Sequence, residues 1–335
     1  MRKIGIIYGG RSTEHDASLK SKENFFKNLD KDQFDIVELI FVDRYGRIYL
    51  NKKEITIGQL SNKIKYEKDI YYLNLLHGQE GEDGSWSGIF DICDGKGTFE
   101  KVNTSSILMN KYQQGIVAKY SLDEVLMPQT VLIKENDILN LSQKLKKLKS
   151  DYIIVKPNNM GASHFTEKLL KKDIGKINTL ISKIFEFDDE VVIQEFIEGE
   201  EYTCGVINYN NELKPLPIIH AKSKTGMLDH RVKHRQGNVK CDFNNFNEKS
   251  KIEKISIELF KLFEVIGMCR FDFIVTPDSK IYYLEGNLIP GFSNESAFPM
   301  MLREANISLT EFTINLFNAY DNHKLKNKYL SYKID

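Results

Sequence analysis

Two segments near the end of the chain constrain the fold more than any other feature. "CRFDFIV" and "IYYLEGNLIPGF" are both strand-like, and "TPDSK" between them carries Pro-Asp-Ser turn chemistry. Arg270 and Asp272 share one face of the first segment by their two-residue spacing, as do Glu285 and Asn287 on the second. With Asp278 and Ser279 as a two-residue loop, antiparallel pairing sets Asp272 opposite Glu285 and Arg270 opposite Asn287. Opposed carboxylates repel unless something positive lies between them. A hard divalent cation such as Mg2+, which takes carboxylate and phosphate oxygens, answers that need economically. On spacing alone, a hairpin whose charged face simply meets water fits equally well.

The rest of the composition excludes several classes. The 335 residues suffice for two or three domains, and 47 basic against 47 acidic residues leave no net charge. No global field draws nucleic acid or a membrane surface. Cys93, Cys204, Cys241 and Cys269 lack C-x-x-C spacing and read as free thiols of a reducing compartment. The opening "MRKIGIIYGG" reads as a buried first strand rather than a signal peptide. No segment approaches the roughly 18 apolar residues of a membrane-spanning helix, so a cytoplasmic protein is expected.

Residues 1–100 alternate strand and helix, which predicts an open parallel sheet with ligands beyond its strand ends, at Gly9, Gly10, His77 and Gly78. Ser12 or Thr13 is expected to cap the first helix, and Thr-Ser-Ser at 104–106 to open a later one. Lysine-rich stretches at about 138–149 and 167–187 read as solvated helices. Boundaries near 100 and 188 give an α/β and α+β chain of three units: 1–100, 101–188 and 189–335.

Taken in order, "GGRSTEHDASLKS", "LHGQEGEDGSWSG", "IIVKP", "VIQEFIEGEEYT", "CRFDF" and "LEGNLIPGFSNESAFP" resemble the D-alanine-D-alanine ligases, a family of ATP-grasp enzymes, over nearly the whole chain. The resemblance implies a three-domain ATP-grasp fold and ATP-driven activation of a carboxylate as an acyl phosphate, which an amine then attacks. It implies ATP and two Mg2+ ions, replaceable by Mn2+, with Asp272, Glu285 and Asn287 as metal ligands. Arg270 faces the transferring phosphoryl group, and the Gly291 N–H stabilises the oxyanion. Lys156 contacts phosphate, Gln194, Glu195, Phe196 and Ile197 meet adenine through their backbone, and Glu201 binds ribose. Glu14 receives the first substrate's ammonium with His77 nearby, and Ser296 the second substrate's carboxylate. Small amino-acid-like substrates are implied as partners, as is a homodimer through the first domain.

The chain also departs from that pattern. The family's glycine-rich loop reads Gly161-Ala162-Ser163-His164-Phe165, losing a hydroxyl and the final glycine. "DHRVKHR" keeps Lys233 as a phosphate contact but puts His234 where the family has tyrosine. Gly115 stands for a lysine that contacts ATP, with Lys111 and Lys119 one turn to either side. Gly286, and Leu288-Ile289 at the floor of the second-substrate pocket, also differ. Retained metal and phosphate residues beside a changed first-substrate set imply a carboxylate-amine ligase with an altered substrate. The alternatives are an authentic D-alanine-D-alanine or D-alanine-D-X ligase, and a catalytically silent nucleotide-binding relative. Arg231, Lys233, His234 and Arg235 read either as a loop closing over phosphates or as a solvated loop.

Overall fold

The computed structural model describes residues 1–223, 239–243 and 246–326. These form three sheets. The first contains β1 (Arg2–Gly9), β2 (Phe34–Val42), β3 (Ile48–Leu50), β4 (Lys53–Ile55), β5 (Ile70–Asn74) and β6 (Lys96–Gly97), in the order β4-β3-β2-β1-β5-β6. Its centre is parallel, as the strand-helix alternation predicts, but β3 and β4 add an antiparallel edge. Asn51 and Lys52 make that edge: both have positive φ, 48° and 74°, which suits a tight two-residue hairpin turn.

The second sheet contains β7 (Thr130–Lys134), β8 (Tyr152–Pro157), β9 (Glu167–Leu170) and β10 (Glu190–Glu195), ordered β7-β10-β8-β9 and antiparallel. Val191, Val192 and Ile193 are fully buried, so β10 is covered on both faces and reads as a continuous apolar run. The third sheet contains β11 (Glu200–Tyr209), β12 (Glu212–Pro215), β13 (Ile219–Ser223), β14 (Val239–Asp242), β15 (Met268–Val275) and β16 (Ile281–Asn287), ordered β14-β13-β11-β15-β16 with β12 beside β11.

Helices close the faces: α1 (His15–Asn28), α2 (Ile57–Tyr66), α3 (Ser85–Ile92), α4 (Val102–Met109), α5 (Lys111–Ser121), α6 (Leu141–Leu145), α7 (Ile174–Ile184), α8 (Lys249–Leu262), α9 (Ala297–Glu304) and α10 (Leu309–Lys326). One core joins Ile4, Ile6 and Leu73 of the first sheet to Phe292, Phe298, Phe312 and Phe317, so the chain's last helices cover its first sheet. Buried Glu100 ties the same seam, accepting Ile266 N–H at 2.9 Å, Gly267 N–H at 3.0 Å and Tyr320 O–H at 2.7 Å. Burial raises its carboxyl to about 7. A second core packs Leu108, Ala118, Ile252, Ile255 and Leu259 against Phe271, Phe273 and Tyr283, placing α4, α5 and α8 on one face of the β15–β16 hairpin.

Several local expectations are corrected. Glu14, not Ser12 or Thr13, is the residue before α1 and makes no side-chain cap; the Ser12 hydroxyl accepts the Glu14 N–H at 3.2 Å in the turn ahead of the helix and donates to His77 O at 2.5 Å. Thr104 and Ser105 lie inside α4, buried, and Thr104 O–H donates to Phe263 O at 2.8 Å. The helical pattern restarts at Asn110, whose Oδ1 accepts the Gln113 N–H at 2.8 Å and so caps α5. Residues 167–170 are the strand β9, and α7 buries Ile177, Leu180, Ile181 and Ile184, because apolar spacing outweighs its lysines. Residues 138–149 hold only the end of a 3-10 turn and the short α6, which buries Leu141 and Leu145.

Candidate active site

The hairpin forms with the expected partners at its charged end: Asp272 pairs with Glu285 and Arg270 with Asn287. The route there differs from a two-residue loop. Thr276 N–H donates to Lys280 O at 3.0 Å, so Pro277, Asp278 and Ser279 make a three-residue turn, with Ser279 at φ 60°. That turn shifts the register by one, and a bulge at Leu284 shifts it back, since Phe273 pairs with Tyr283 while Asp272 pairs with Glu285. The side chains sort accordingly. Phe271, Phe273 and Tyr283 are fully buried, whereas Asp272, Ile274, Leu284 and Glu285 all line one cavity.

That cavity, of about 330 Å3, lies between the second and third sheets and gathers most of the residues singled out from the sequence. Lys156, Gln194, Glu195, Phe196, Ile197 and Glu201 line it together with Asp272 and Glu285. Lys156 is buried on β8, paired with Val192. The Glu195 carboxylate accepts the Lys149 and Ser150 N–H groups. Phe196 N–H is engaged by Tyr152 O at 3.0 Å, while the Ile197 N–H has no partner among the described residues.

Lys111 is in the cavity as well, and sequence reasoning had only ranked it beside Lys119. Its ammonium donates to Met160 O at 2.5 Å and lies 3.6 Å from the Glu285 carboxylate. Asn158 holds that end of α5: its carbonyl accepts the Lys111 N–H at 3.1 Å and its Oδ1 the Tyr112 N–H at 2.9 Å. Lys119 is exposed beside the Tyr120 ring, and Gly115 is buried against Met127. Position 115 therefore faces the core rather than the cavity.

Arg270 lies beside Asp272 in a two-pronged pair, 3.1 Å from Nε to Oδ1 and 2.9 Å from Nη2 to Oδ2, and Thr203 O–H donates to the same Oδ1 at 2.9 Å. Burial lowers the basicity of Arg270, but Asp272 outweighs it and holds the guanidinium above its ordinary range. Asn287 Oδ1 is buried and has no hydrogen-bond partner among the described residues. Two carboxylates and an orphaned amide oxygen make a hard-oxygen donor set, which fits Mg2+. No group of three or more His, Cys, Asp or Glu side chains able to hold a metal occurs among the described residues, so the two carboxylates would need the Asn287 oxygen or a ligand's oxygens to complete a metal shell.

A second corner adjoins the first. The Glu14 carboxylate is wedged between Gly78 and Gly161, where a Cβ at Gly161 would collide with it. Burial raises Glu14 to about 7, with Lys111 and Arg270 pulling it down and Glu285 pushing it up. Ala162, Ser163 and Phe165 of the adjacent loop all have left-handed φ, near 53°. Phe165 thus adopts the glycine-like conformation without being glycine, and its ring stacks on Phe187 at 5.2 Å. Glu82, absent from the sequence-based set, accepts Gly78 N–H at 2.7 Å and Ile289 N–H at 2.9 Å, and burial with Glu14 nearby raises it to about 8. His77 is buried and neutral, pushed down to about 4, its Nδ1–H donating to Ile289 O at 2.8 Å and its Nε2 accepting from Ser21 O–H at 2.8 Å.

Gly291 adjoins Ser296, whose Oγ would lie 3.0 Å from a Cβ at position 291 and is 2.7 Å from Ser293 Oγ. Leu288 and Ile289 are buried, 4% and 6% exposed, and pack in the second core. Arg231, Lys233, His234 and Arg235 lie outside the described residues. No helix among the described residues is long and apolar enough to cross a membrane.

Comparison with known proteins agrees with this architecture. The D-ala D-ala ligase C-terminus family model matches residues 123–318, and the D-ala D-ala ligase N-terminus model matches residues 3–69. D-alanine--D-alanine ligase B of Clostridium perfringens is 29% identical over 331 residues, covering 97% of this chain and 100% of its own. The D-alanine--D-alanine ligase of Flavobacterium johnsoniae is 28% identical over 323 residues, covering 94% and 98%. In fold, the chain is similar to the VanG D-Ala:D-Ser ligase of Enterococcus faecalis, with a TM-score of 0.81 at 24% identity over 95% of this chain and 99% of that one. It is also similar to the Bacillus anthracis D-alanine--D-alanine ligase complexed with ATP, with a TM-score of 0.76 at 24% identity over 98% and 100%. A family match over more than half its length, on a fold shared from end to end, means that the chain belongs to the D-alanine-D-alanine ligase family of ATP-grasp enzymes.

Proposed function

We propose that this ATP-grasp ligase joins a carboxylate to an amine through an acyl phosphate, and that its first substrate differs from the D-alanine of a cell-wall enzyme. The observation that carries the reaction is the shared cavity, in which Lys111, Lys156, Asp272 and Glu285 face one another. In this reading Lys156 and Lys111 hold the phosphates of ATP, residues 194–197 the adenine through backbone groups, and Glu201 the ribose hydroxyls. Asp272, Glu285 and Asn287 hold Mg2+, which when bound neutralises phosphate oxygens. Arg270, kept charged by Asp272, adds a fixed positive charge beside them.

The γ-phosphoryl group passes to a carboxylate oxygen, giving acyl phosphate and ADP. The amine nitrogen then forms a bond to the acyl carbon as the carbonyl pair moves onto oxygen, where the Gly291 N–H receives it. The pair returns, the bond to phosphate oxygen breaks, phosphate leaves and the amine gives up its proton. Glu14 takes the ammonium of the first substrate, and Ser296 the carboxylate of the second.

The altered first substrate is supported by the corner around Glu14. Ala162 brings no hydroxyl there, Gly161 packs onto the carboxylate, and Phe165 fixes the loop by stacking on Phe187. A second reading, an authentic D-alanine-D-alanine ligase, is favoured by the full-length match to enzymes of that name. Phosphate release with Mg2+ and ATP, screened over D- and L-amino acids singly and in pairs, separates the two. Release with other acids but not D-alanine supports the altered substrate. Release with D-alanine alone establishes the second reading, and no release with any pair counts against both.

A further inference from the structure

The turn at residues 289–292 belongs to the third sheet's strand end, yet its backbone is held by side chains from the first domain. Ile289 N–H donates to Glu82 Oε1 at 2.9 Å, and Ile289 O accepts the His77 Nδ1–H at 2.8 Å. Phe292 N–H donates to Ser21 Oγ at 3.0 Å, and Phe292 O accepts from Asn24 Nδ2 at 2.7 Å. The Ser21 O–H donates to His77 Nε2 at 2.8 Å, so Phe292, Ser21, His77 and Ile289 form one continuous chain of hydrogen bonds. Pro290 has no N–H to give. The Gly291 N–H is the donor of this turn left without a partner among the described residues.

We propose that Ser21, Asn24 and Glu82 are positioning residues for the amide-forming step, acting through this turn to aim the Gly291 N–H at the developing oxyanion. The proposal rests on the reading of Gly291 given above. Anchoring both ends of a four-residue turn leaves its middle peptide little freedom to rotate, and a displacement of about 1 Å at such a donor costs on the order of a hundredfold in rate. The first domain thereby governs the second chemical step without touching the oxyanion. Formation of the acyl phosphate, which takes place at the Lys156 and Glu285 end of the cavity, does not depend on this turn.

The test separates the two steps. With ATP labelled by 18O in its γ-phosphoryl group and D-alanine, or whichever amino acid the wild type accepts, positional isotope exchange reports acyl-phosphate formation, and product analysis reports the amide. In Ser21→Ala, Asn24→Ala and Glu82→Gln, amide formation is expected to slow about 10- to 100-fold while exchange and the KM for ATP stay within about twofold. Asn24 is only half-buried, so its variant remains informative if Ser21→Ala folds poorly. Ser21→Thr, which keeps the hydroxyl, should recover most of the lost rate. Exchange and amide formation falling in parallel, or neither changing in a folded Asn24→Ala protein, overturns the proposal. No exchange in the wild type with any amino acid overturns the ligase reading and the proposal with it.

Discussion

The Asp272–Glu285 pair and Glu14 are neighbouring carboxylate groups held by different means. The pair stands on two hydrogen-bonded strands, so the ladder sets where both side chains point. Glu14 stands at a helix start between two loops, and its surroundings come from Gly78 on one side and Gly161 on the other. Strand register is a property of a whole hairpin and tolerates change in single residues. A loop corner is rebuilt by each substitution in it: Ala162 and Phe165 depart from the family pattern there, while on the hairpin Asp272, Glu285 and Asn287 are kept even though Gly286 between them departs.

The largest effect expected from that contrast is at the hairpin. Glu285→Gln and Asp272→Asn should each lower ATP-dependent phosphate release by about a hundredfold or more. They should differ in stability. Glu285 has a side chain 27% exposed, so its variant melts near the wild type. Asp272 is buried with Arg270, and losing its charge leaves a buried cation unbalanced, lowering stability by about 3 kcal/mol. Equal melting of the two variants would break the claim that the strands build in Asp272 more deeply.

Lys111→Ala should raise the KM for ATP about tenfold or more, while Lys119→Ala stays within about twofold. A reversal would return the missing lysine to the exposed side of α5. At the loop corner the effect is graded by pH. Glu14, raised to about 7 by burial, is increasingly protonated as pH falls below that value, and a neutral acid holds an ammonium weakly. The kcat/KM for the first substrate should therefore fall about tenfold per pH unit below 7, and Glu14→Gln should remove that inflection. A profile flat through this region in the wild type would remove Glu14 from substrate binding. The smallest change is Ala162→Ser, which restores one hydroxyl and should raise kcat/KM for D-alanine by up to about tenfold without altering the KM for ATP. No change would detach Ala162 from selectivity.

What could be read in advance follows the same division. Alternation of apolar and charged residues exposed the hairpin and its two faces, because a period of two survives without tertiary information. Its register was reached through cancelling differences, a longer turn and a bulge, neither of which alternation reveals. Lys111 was harder to place, since the break at Asn110 between α4 and α5 depends on Asn158, a residue far along the chain. Glu82 and Ser21 lie within the motifs "LHGQEGEDGSWSG" and "GGRSTEHDASLKS", but nothing local assigns them a role; their importance comes from a turn some two hundred residues away or more, reached only when the last helices fold over the first sheet.

The bulge at Leu284 has a consequence for how this hairpin can vary. Leu284 is the residue without a cross-strand partner, and its neighbours on either side already pair in sequence, Tyr283 with Phe273 and Glu285 with Asp272. Its removal would close the ladder while both carboxylates kept their places. What would go is an apolar patch of cavity wall. The strand thus carries a detachable spacer, so that the shape of the cavity and the charge within it can be inherited separately.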